Sequence, residues 1–457
     1  MPGSLVGGPT LAAPKDTLVP HAPRPPIWLH SDRFLARNLG RPVLRFLHIE
    51  ASGGILLLAS TIIAVVWANS PWSDTYTSLW ATKIAIEVGG YAVAEDLRHW
   101  INDGLMALFF FVVGLEIKQE LVTGQLSRAR EALLPAVAAL GGMVVPALTY
   151  AAINAGGEGS AGWGIPMATD IAFALGVLAL LGDRVPATLK ILLLALAIVD
   201  DIGAIVVIAA FYSDNIQGRW VLAALAALVL IALLKRRKVW YVPVYAVLGL
   251  TVWYATFESG VHATIAGVAL GLLTPAKPLM PETDAEAVAE ELSDDPHVTV
   301  GEIRAVSFRL RESASVAERL QDLLHPWTSY LVIPLFAIAN AGVVLSSEMI
   351  GDAAASKVTG GVVAGLLVGK FIGITGAIFL ATRLGFATLP IGITMRQIAG
   401  MAILAGIGFT VSLFITGLAF DDTALAPEAK IGVLAASALA AVVGSLMLRA
   451  ALPRHDS

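Results

Sequence analysis

The chain has 457 residues, of which 57% are hydrophobic and 14% are charged, and its mean hydropathy is +0.77. A soluble protein of this length needs more charge to cover its surface, so the composition indicates an integral membrane protein. The net charge of −5 leaves no basic face for nucleic acid, and the absence of cysteine excludes disulfides, thiolate metal sites and cysteine nucleophiles. Residues 1–45 are rich in proline and arginine without an apolar run, which predicts a soluble tail.

Twelve segments are apolar enough to cross, or nearly cross, a hydrocarbon core of about 30 Å. The first eight lie within 46–273, the last four lie within 328–450, and residues 451–457 form a second tail. The fold class predicted is therefore all-α and membrane-embedded, with about twelve transmembrane helices. They are predicted at 46–69, 97–115, 132–154, 163–181, 189–212, 219–234, 239–257, 260–273, 328–345, 358–382, 395–420 and 428–450.

The lysines and arginines predict the orientation of these helices. With the N-terminus inside, about 24 of the 30 basic residues lie on the cytoplasmic side and about five on the other, which is a strong positive-inside bias. Both termini are therefore predicted to be cytoplasmic.

Two connections are long. Residues 70–95 are predicted to lie outside, and within them residues 83–93 alternate around Gly89-Gly90, as in a β-hairpin. A disordered loop is the alternative. Because an isolated hairpin is marginal in water, this one is predicted to pair with a partner chain. The connection 274–327 is cytoplasmic and acidic, with helical periodicity in its second half, and no chemistry is assigned to residues 274–304.

Two of the predicted helices are interrupted by glycine and proline. The run 167–170 follows a stretch rich in glycine and proline, and the segment 395–420 contains Gly400, Gly406 and Gly408. Paired interruptions of this kind point to a transporter's binding site, where half-helices meet near the middle of the membrane. We expect inverted repeats with two broken helices that cross at mid-membrane, although the repeat is visible only by inspection.

Asp200 and Asp201 are the strongest functional signal. About nine apolar residues lie on either side of the pair, which puts it near the bilayer midplane. Each charge there costs at least ~2.5–3.5 kcal/mol, so such residues are kept for function by default, and polar glue between helices is the alternative. Two neighbouring carboxylates, with the Thr169 hydroxyl and unwound carbonyls, suit protons or a small hard cation such as sodium or lithium.

Three other charged residues accompany this pair. Lys370 lies inside an apolar helix and is expected to pair with one of the two aspartates, either as part of the transport chemistry or as a structural salt bridge. Asp170 either binds the cation or offsets the partial positive charge of half-helix N-termini. Asp103, near the outer end of its helix, either lines an entry funnel or caps the helix.

Six motifs together resemble the NhaA-type sodium/proton antiporters of bacterial inner membranes. The resemblance runs from about residue 40 to 450 and is specific in combination. The motifs are NDGLM at 102–106, GLEIK at 114–118, ATDIAFALG at 168–176, VDDIGAI at 199–205, SGVHAT at 259–264 and PLFAIANAG at 334–342.

The resemblance implies twelve helices, cytoplasmic termini, and electrogenic exchange of one sodium or lithium ion for more than one proton. Asp201 matches the indispensable cation carboxylate, and Asp200 matches its partner, which pairs with the lysine at Lys370. Thr169 and Asp170 match the unwound segment beside them. The hairpin at 83–93 matches the family's dimer contact.

The resemblance also implies a cytoplasmic pH-sensing cluster, with departures in this chain. Gln119, Gln321 and Asp322 stand where an arginine, an acid and a histidine are often found, so the pH set point is open. An ordinary buried role is equally open for the histidine in the SGVHAT motif. The candidate pH-sensing residues are Glu116, Glu120, His262 and His325.

Other classes fit the central charges less well. A cation channel would be blocked by Lys370, and an intramembrane aspartyl protease would need two aspartates on separate helices with a shared proton. A proton-coupled symporter of a small solute is the better alternative, but no aromatic or guanidinium groups are evident for an organic ligand. The sequence predicts a transporter and not an enzyme, without a cofactor, whose partners are small cations, the lipid bilayer and a second copy of the chain.

Overall fold

The structure is a computed structural model and describes residues 52–88, 91–213, 215–237, 239, 241–278, 299–420 and 424–452. The predictions for the two tails, for 46–51 and for most of the acidic stretch before residue 299 lie outside these residues.

The first half of the described chain contains nine helices of eight residues or more, a single helical turn at Leu97–His99 and one hairpin. The helix α3 continues a π-helical stretch, Trp100–Leu105, and α5 follows a 3-10 helix, Glu158–Met167. The elements are α1 (Ser52–Ala68), α2 (Ser73–Trp80), β1 (Lys83–Val88), β2 (Tyr91–Asp96), α3 (Met106–Val122), α4 (Ala129–Asn154), α5 (Ile171–Leu180), α6 (Ala187–Phe211), α7 (Gly218–Arg236), α8 (Val242–Glu258) and α9 (Thr264–Leu273).

The second half contains nine more described helices. Two π-helical stretches, Thr328–Val332 and Gly365–Gly369, lead directly into α12 and α15. The helices are α10 (Val300–Ser313), α11 (Val316–Trp327), α12 (Ile333–Asn340), α13 (Ser347–Ala355), α14 (Lys357–Ala364), α15 (Lys370–Arg383), α16 (Met395–Leu404), α17 (Phe409–Ala419) and α18 (Leu425–Ala451).

The predicted hairpin is confirmed. β1 and β2 are antiparallel, and their register pairs Lys83 with Asp96 and Ile86 with Val93. We call the side of the protein on which it lies the hairpin side.

The predicted outer loop also contains α2, which was not predicted from the sequence because eight mostly polar residues carry no membrane signal. Tyr76 and Trp80, four residues apart, bury the inner face of α2.

The number of membrane spans stays a prediction. In the part of the chain that the structure describes, five helices are long and apolar enough to cross a membrane, and there are up to eight if three bent pairs each form one span. The helices α8 and α9 are shorter but apolar. The predicted segment 328–345 ends earlier, because α12 stops at Asn340 and the following residues are not helical.

Glycines allow the long helices to approach backbone to backbone. A methyl group at Gly373 of α15 would overlap the carbonyl of Gly141 on α4, and one at Gly267 of α9 would overlap the carbonyl of Ala107 on α3. Small residues at such contacts are typical of helix packing in membranes, where close van der Waals contact replaces the hydrophobic effect. The helix α4 packs on α6 as well, so α6 and α15 are both positioned against α4.

Candidate functional site at two broken helices

Two interrupted helices meet at the centre of the described structure. The 3-10 helix bends by 49° into α5 through extended residues 168–170, and α16 bends by 46° into α17 through residues 405–408. The amide of Asp170 donates to the carbonyl of Ile407 at 2.6 Å, and the hydroxyl of Thr169 lies 2.8 Å from the carbonyl of Ala405. The two breaks therefore contact each other directly, as the interruptions in the sequence predicted.

Asp170 lies between the N-termini of two half-helices. One of its oxygens, Oδ1, accepts from the amide of Phe173 at 2.9 Å and caps α5. The other, Oδ2, accepts from the amide of Thr410 at 3.0 Å and from its hydroxyl at 2.6 Å, at the start of α17. A carboxylate at helix N-termini offsets their partial positive charge. This geometry favours the electrostatic role that the sequence left open, because both oxygens are already used.

Lys370 pairs with Asp200, one of the two aspartates that the sequence allowed. Its ammonium lies 2.5 Å from Oδ2 of Asp200, and both side chains are 0% exposed. The ammonium also donates to the hydroxyl of Thr169 at 3.0 Å. That hydroxyl lies 2.7 Å from the same Asp200 oxygen and has one proton, which it donates either there or to the carbonyl of Ala405.

Oδ1 of Asp200 and the carboxylate of Asp201 accept no hydrogen bond from the described residues and can still bind a proton or a cation. The second oxygen of Asp200, Oδ1, is buried and accepts no hydrogen bond in the described part of the chain. The neighbouring Asp201 is 6% exposed, and neither of its oxygens accepts a hydrogen bond from a described residue. Buried carboxylate oxygens without donors are costly unless a proton or a cation occupies them.

Lys370 is positioned by a π-helical stretch that the sequence analysis did not foresee. Residues Gly365–Gly369 precede it directly. A methyl group at Gly365 would lie 2.7 Å from Cβ of Pro166, and one at Gly369 would lie 2.7 Å from Cα of Pro146. Such bulges are frequent at functional sites. The spacing of Gly365, Gly369 and Gly373 at every fourth residue was the available signal for this close contact.

Asp103 does not cap its helix. The first helical turn before α3 is Leu97–His99, and Asp96 caps it by accepting from the amide of His99 at 2.8 Å. Asp103 lies further along, in the π-helical stretch, and lines a shallow open recess on the hairpin side with His99 and Trp253. Its carbonyl accepts from the indole of Trp253 at 2.9 Å. Its role in an entry funnel stays a prediction.

Three of the four candidate pH-sensing residues lie near one end of α3. Glu116 accepts a hydrogen bond from the amide side chain of Gln321 on α11 at 3.3 Å, and Glu120 accepts from the backbone of Gln125 at 2.9 Å. His325 lies four residues after Gln321, on the same helix α11 that packs on α3. His325 is exposed on α11, and partial desolvation by its surroundings lowers its pKa, although the charge of Asp322 opposes this shift.

His262 lies apart from the other three. It contacts the carbonyl of Tyr212, the residue that follows α6, just before α9 begins. The helices α9 and α3 run in the same direction, since Gly267 packs on Ala107 and Gly271 packs on Gly114. His262 is therefore at the hairpin end of α9, at least about 10 Å along the axis from the level of Glu116. The expectation of one cytoplasmic cluster with all four residues is wrong for His262.

A pair of amide side chains near the hairpin side was not predicted from the sequence. Asn340, at the end of α12, donates to Oδ1 of Asn102 at 2.8 Å and to the carbonyl of Phe336 at 3.0 Å. Both asparagines stood in quoted motifs without an assigned role. Thr410 lies in the predicted segment 395–420, likewise without a role predicted from the sequence.

The site offers oxygen ligands for a small cation and not a transition-metal centre. No group of three or more histidine, aspartate or glutamate side chains suited to a metal ion occurs within the described residues. What lies together is carboxylate oxygens, one hydroxyl and backbone carbonyls, which are the ligands that hard cations prefer.

The sequence is similar to those of known proteins along most of its length. The sequence model of a family described as Na+/H+ antiporter 1 matches residues 44–448. A protein named Na(+)/H(+) antiporter NhaA 2 from Sorangium cellulosum is 46% identical over 441 residues, which cover 93% of this chain and 94% of the relative. Another with that name from Myxococcus xanthus is 47% identical (91% and 90% covered), and Na(+)/H(+) antiporter NhaA from Rhodopirellula baltica is 48% identical (91% and 95% covered).

Proposed function

Because this chain belongs to the NhaA family of Na+/H+ antiporters, we propose that it exchanges sodium ions for protons across the bacterial inner membrane. It is a multi-pass integral membrane protein, as the family and its long apolar helices indicate. The names of its relatives support sodium and protons as the exchanged ions.

The observation that carries this proposal is that buried carboxylate oxygens beside the broken helices have no hydrogen-bond donor among the described residues. Asp201 and Oδ1 of Asp200 are buried, lack donors in the described part of the chain, and lie beside the Thr169 hydroxyl that contacts Asp200. Oxygens in this state take up either a proton or a small cation with oxygen preference, sodium or lithium. Competition between the two for one set of oxygens is sufficient for coupled exchange.

The proposed cycle follows from this competition. Sodium entering from the cytoplasm displaces protons from Asp200 and Asp201. The protein then opens to the other side, where protons displace sodium and the site returns. Export of sodium is electrogenic when more charge enters as protons than leaves as sodium, and the membrane potential then drives the cycle. Lys370 supplies a positive charge that the cation can replace at Asp200.

Regulation and assembly belong to the same proposal. The candidates for sensing cytoplasmic pH lie at one end of α3 and on its neighbour α11; they are Glu116, Glu120 and His325.

The hairpin of residues 83–93 is the candidate contact with a second copy, since its strands pair with no other strand in the described chain. The positive-inside bias supports cytoplasmic termini.

The test uses everted membrane vesicles that hold an acid-inside pH gradient. Sodium, lithium, potassium or choline is added across a pH series to wild type, to Asp201→Asn and to the control Asp352→Asn. Asp352 lies exposed on α13, so the same substitution there keeps the site intact. Sodium and lithium are expected to collapse the gradient in wild type and in Asp352→Asn but not in Asp201→Asn. Failure of every cation in wild type, or full activity of Asp201→Asn, would overturn the proposal.

A further inference from the structure

The 3-10 helix Glu158–Met167, which we call the 3-10 half-helix, leads through Ala168 into Thr169 and Asp170. It has ten residues, whereas 3-10 helices longer than about four residues are uncommon, because their hydrogen bonds are poorly aligned. It packs on α4, α6, α14 and α17. Its conformation therefore depends on contacts with these neighbouring helices.

Two tyrosine hydroxyls bind the backbone of the 3-10 half-helix. The hydroxyl of Tyr212, the residue after α6, donates to the carbonyl of Ala161 at 2.8 Å and accepts from the amide of Gly164 at 3.1 Å. The hydroxyl of Tyr150, on α4, donates to the carbonyl of Gly159 at 2.7 Å. Both tyrosines are buried. These bonds tie the 3-10 half-helix to the end of α6 and to α4.

Glycines in the 3-10 half-helix allow these hydroxyls to reach its backbone. A methyl group at Gly164 would lie 2.7 Å from the Tyr212 hydroxyl, and one at Gly162 would overlap the Tyr150 hydroxyl. The ring of Tyr212 also stacks on Trp163, with ring centroids 6.4 Å apart and planes at 26°. The hydroxyls, the stacked ring and the glycines therefore form one close contact.

Tyr212 gives the 3-10 half-helix and α6 a second point of contact. The first is at the carboxylates, where the Thr169 hydroxyl lies 2.7 Å from Oδ2 of Asp200. At about 1.5 Å per residue, Tyr212 lies about 18 Å further along the helix than Asp200. Two contacts this far apart oppose rotation and sliding of the 3-10 half-helix on α6. They therefore fix the position of Thr169 relative to Asp200.

Tyr150 connects the 3-10 half-helix to the helix that positions Lys370. The helix α4 contains Tyr150 and packs through Gly141 on Gly373 of α15, the helix that begins with Lys370. The ammonium of Lys370 donates to the Thr169 hydroxyl at 3.0 Å. A 3-10 half-helix that is held on α4 therefore keeps Thr169 in place beside this ammonium as well.

We propose that Tyr150 and Tyr212 are positioning residues for the cation site, which hold the 3-10 half-helix so that Thr169 stays beside Asp200. This inference rests on the proposed exchange of sodium for protons. The two hydroxyls bond the backbone of the 3-10 half-helix and act on the carboxylates only through it. Loss of either hydroxyl therefore weakens sodium binding more than it slows the transport cycle.

The experiment measures the sodium dependence of exchange in everted vesicles for wild type, Tyr212→Phe and Tyr150→Phe. Each substitution keeps the ring and removes only the hydroxyl. Tyr245→Phe is the matched control, because the Tyr245 hydroxyl also donates to a backbone carbonyl, that of Val239, at 2.8 Å, but on α8, which packs on α7 and α9. Hydrogen exchange of residues 158–170 in the purified protein reports on the 3-10 half-helix without requiring transport.

Tyr212→Phe should raise the half-saturating sodium concentration about tenfold, which corresponds to about 1.4 kcal/mol, and lower the maximal rate less than about twofold. Tyr150→Phe loses one hydrogen bond instead of two and should raise that concentration about threefold. Tyr245→Phe should match wild type. Amide exchange within residues 158–170 should be faster in Tyr212→Phe and Tyr150→Phe than in wild type and Tyr245→Phe.

Two results would overturn the inference. One is a wild type that exchanges sodium while Tyr212→Phe and Tyr150→Phe keep its half-saturating concentration, since a purely structural role would lower only the amount of active protein and the maximal rate. The other is amide exchange of residues 158–170 that is the same in all four proteins. If wild type transports no sodium, the proposed function is wrong, and the amide exchange alone decides whether the tyrosines hold the 3-10 half-helix.

Discussion

The buried pair of Lys370 and Asp200 gives the sharpest prediction for stability. The substitution Lys370→Met removes an ammonium 2.5 Å from Oδ2 of Asp200 at a place where both side chains are 0% exposed. The carboxylate then keeps only Thr169, through its hydroxyl and its backbone amide, as a described donor. Removing one partner of a buried ion pair costs about 3–5 kcal/mol, because the remaining charge stays desolvated without compensation. We expect a loss of this size in the free energy of unfolding.

The complementary variants define the interaction itself. Asp200→Asn leaves the ammonium of Lys370 unpaired and should cost a similar amount. The double variant removes both charges, and the amide that replaces the Asp200 carboxylate can still bond the Thr169 hydroxyl, so it should be more stable than either single variant. The coupling energy expected from the double-mutant cycle is about 3 kcal/mol or more.

The cycle is measured by equilibrium unfolding in mixed detergent micelles, read by tryptophan fluorescence. An exposed pair provides the control, since Arg128 and Glu131 are 3.0 Å apart with side chains that are 76% and 52% exposed. The same cycle there, with Arg128→Met and Glu131→Gln, should give less than about 1 kcal/mol. If the costs at Lys370 and Asp200 simply add, the buried ion pair does not exist as described.

Three further variants test other parts of the structure. Asp170→Asn keeps one acceptor oxygen but loses the negative charge at the starts of α5 and α17, so the free energy of unfolding should fall by about 1–3 kcal/mol. An unchanged unfolding midpoint would contradict the capping of both helices by Asp170. Partial desolvation lowers the pKa of His325, an exposed residue of α11, so protonation favours the unfolded chain as pH falls below its usual value of about 6.5. His325→Gln should therefore equal wild type in stability at pH 8 and exceed it near pH 5, and equal pH profiles would contradict the desolvation. Gly373→Ala should cost about 1–3 kcal/mol by overlap with the Gly141 carbonyl. Gly376→Ala meets nothing and gains alanine's helix propensity, so it should leave stability unchanged or raise it by up to about 1 kcal/mol.

The sequence predicted the long apolar helices and both helix breaks, but not the π-helical stretches or α2. Apolar length and the glycine and proline runs were sufficient to place the long helices and both broken ones. The π-helical stretches before Lys370 and α12 were not predictable, because they depend on contacts with helices distant in the chain. The polar α2 was missed for a similar reason, since its burial comes from tertiary packing of Tyr76 and Trp80.

For the candidate site as well, the sequence predicted which residues are involved but not how they are arranged. That Lys370 would pair with an aspartate followed from the cost of burying it alone, but the choice of Asp200 depends on helix rotation. Asp170 was left open between two roles, and three hydrogen bonds at two helix starts favour one. His262 was grouped with Glu116 by motif similarity, although its position just before α9 would by helix alternation have put it at the opposite end.

The three buried aspartates differ in what compensates each charge, and this difference supports the proposal that Asp201 is the main exchange residue. Asp170 is held by the N-terminal amides of two half-helices, and one oxygen of Asp200 is held by Lys370 and Thr169. Asp201 has no cation or donor bonded to it within the described residues, so it requires a proton or a cation most. If the protein neutralised all three charges, no carboxylate would be left to bind a cation. If it neutralised none of them, three uncompensated buried charges would destabilise the fold. Asp201 is therefore the residue at which we expect sodium and protons to compete.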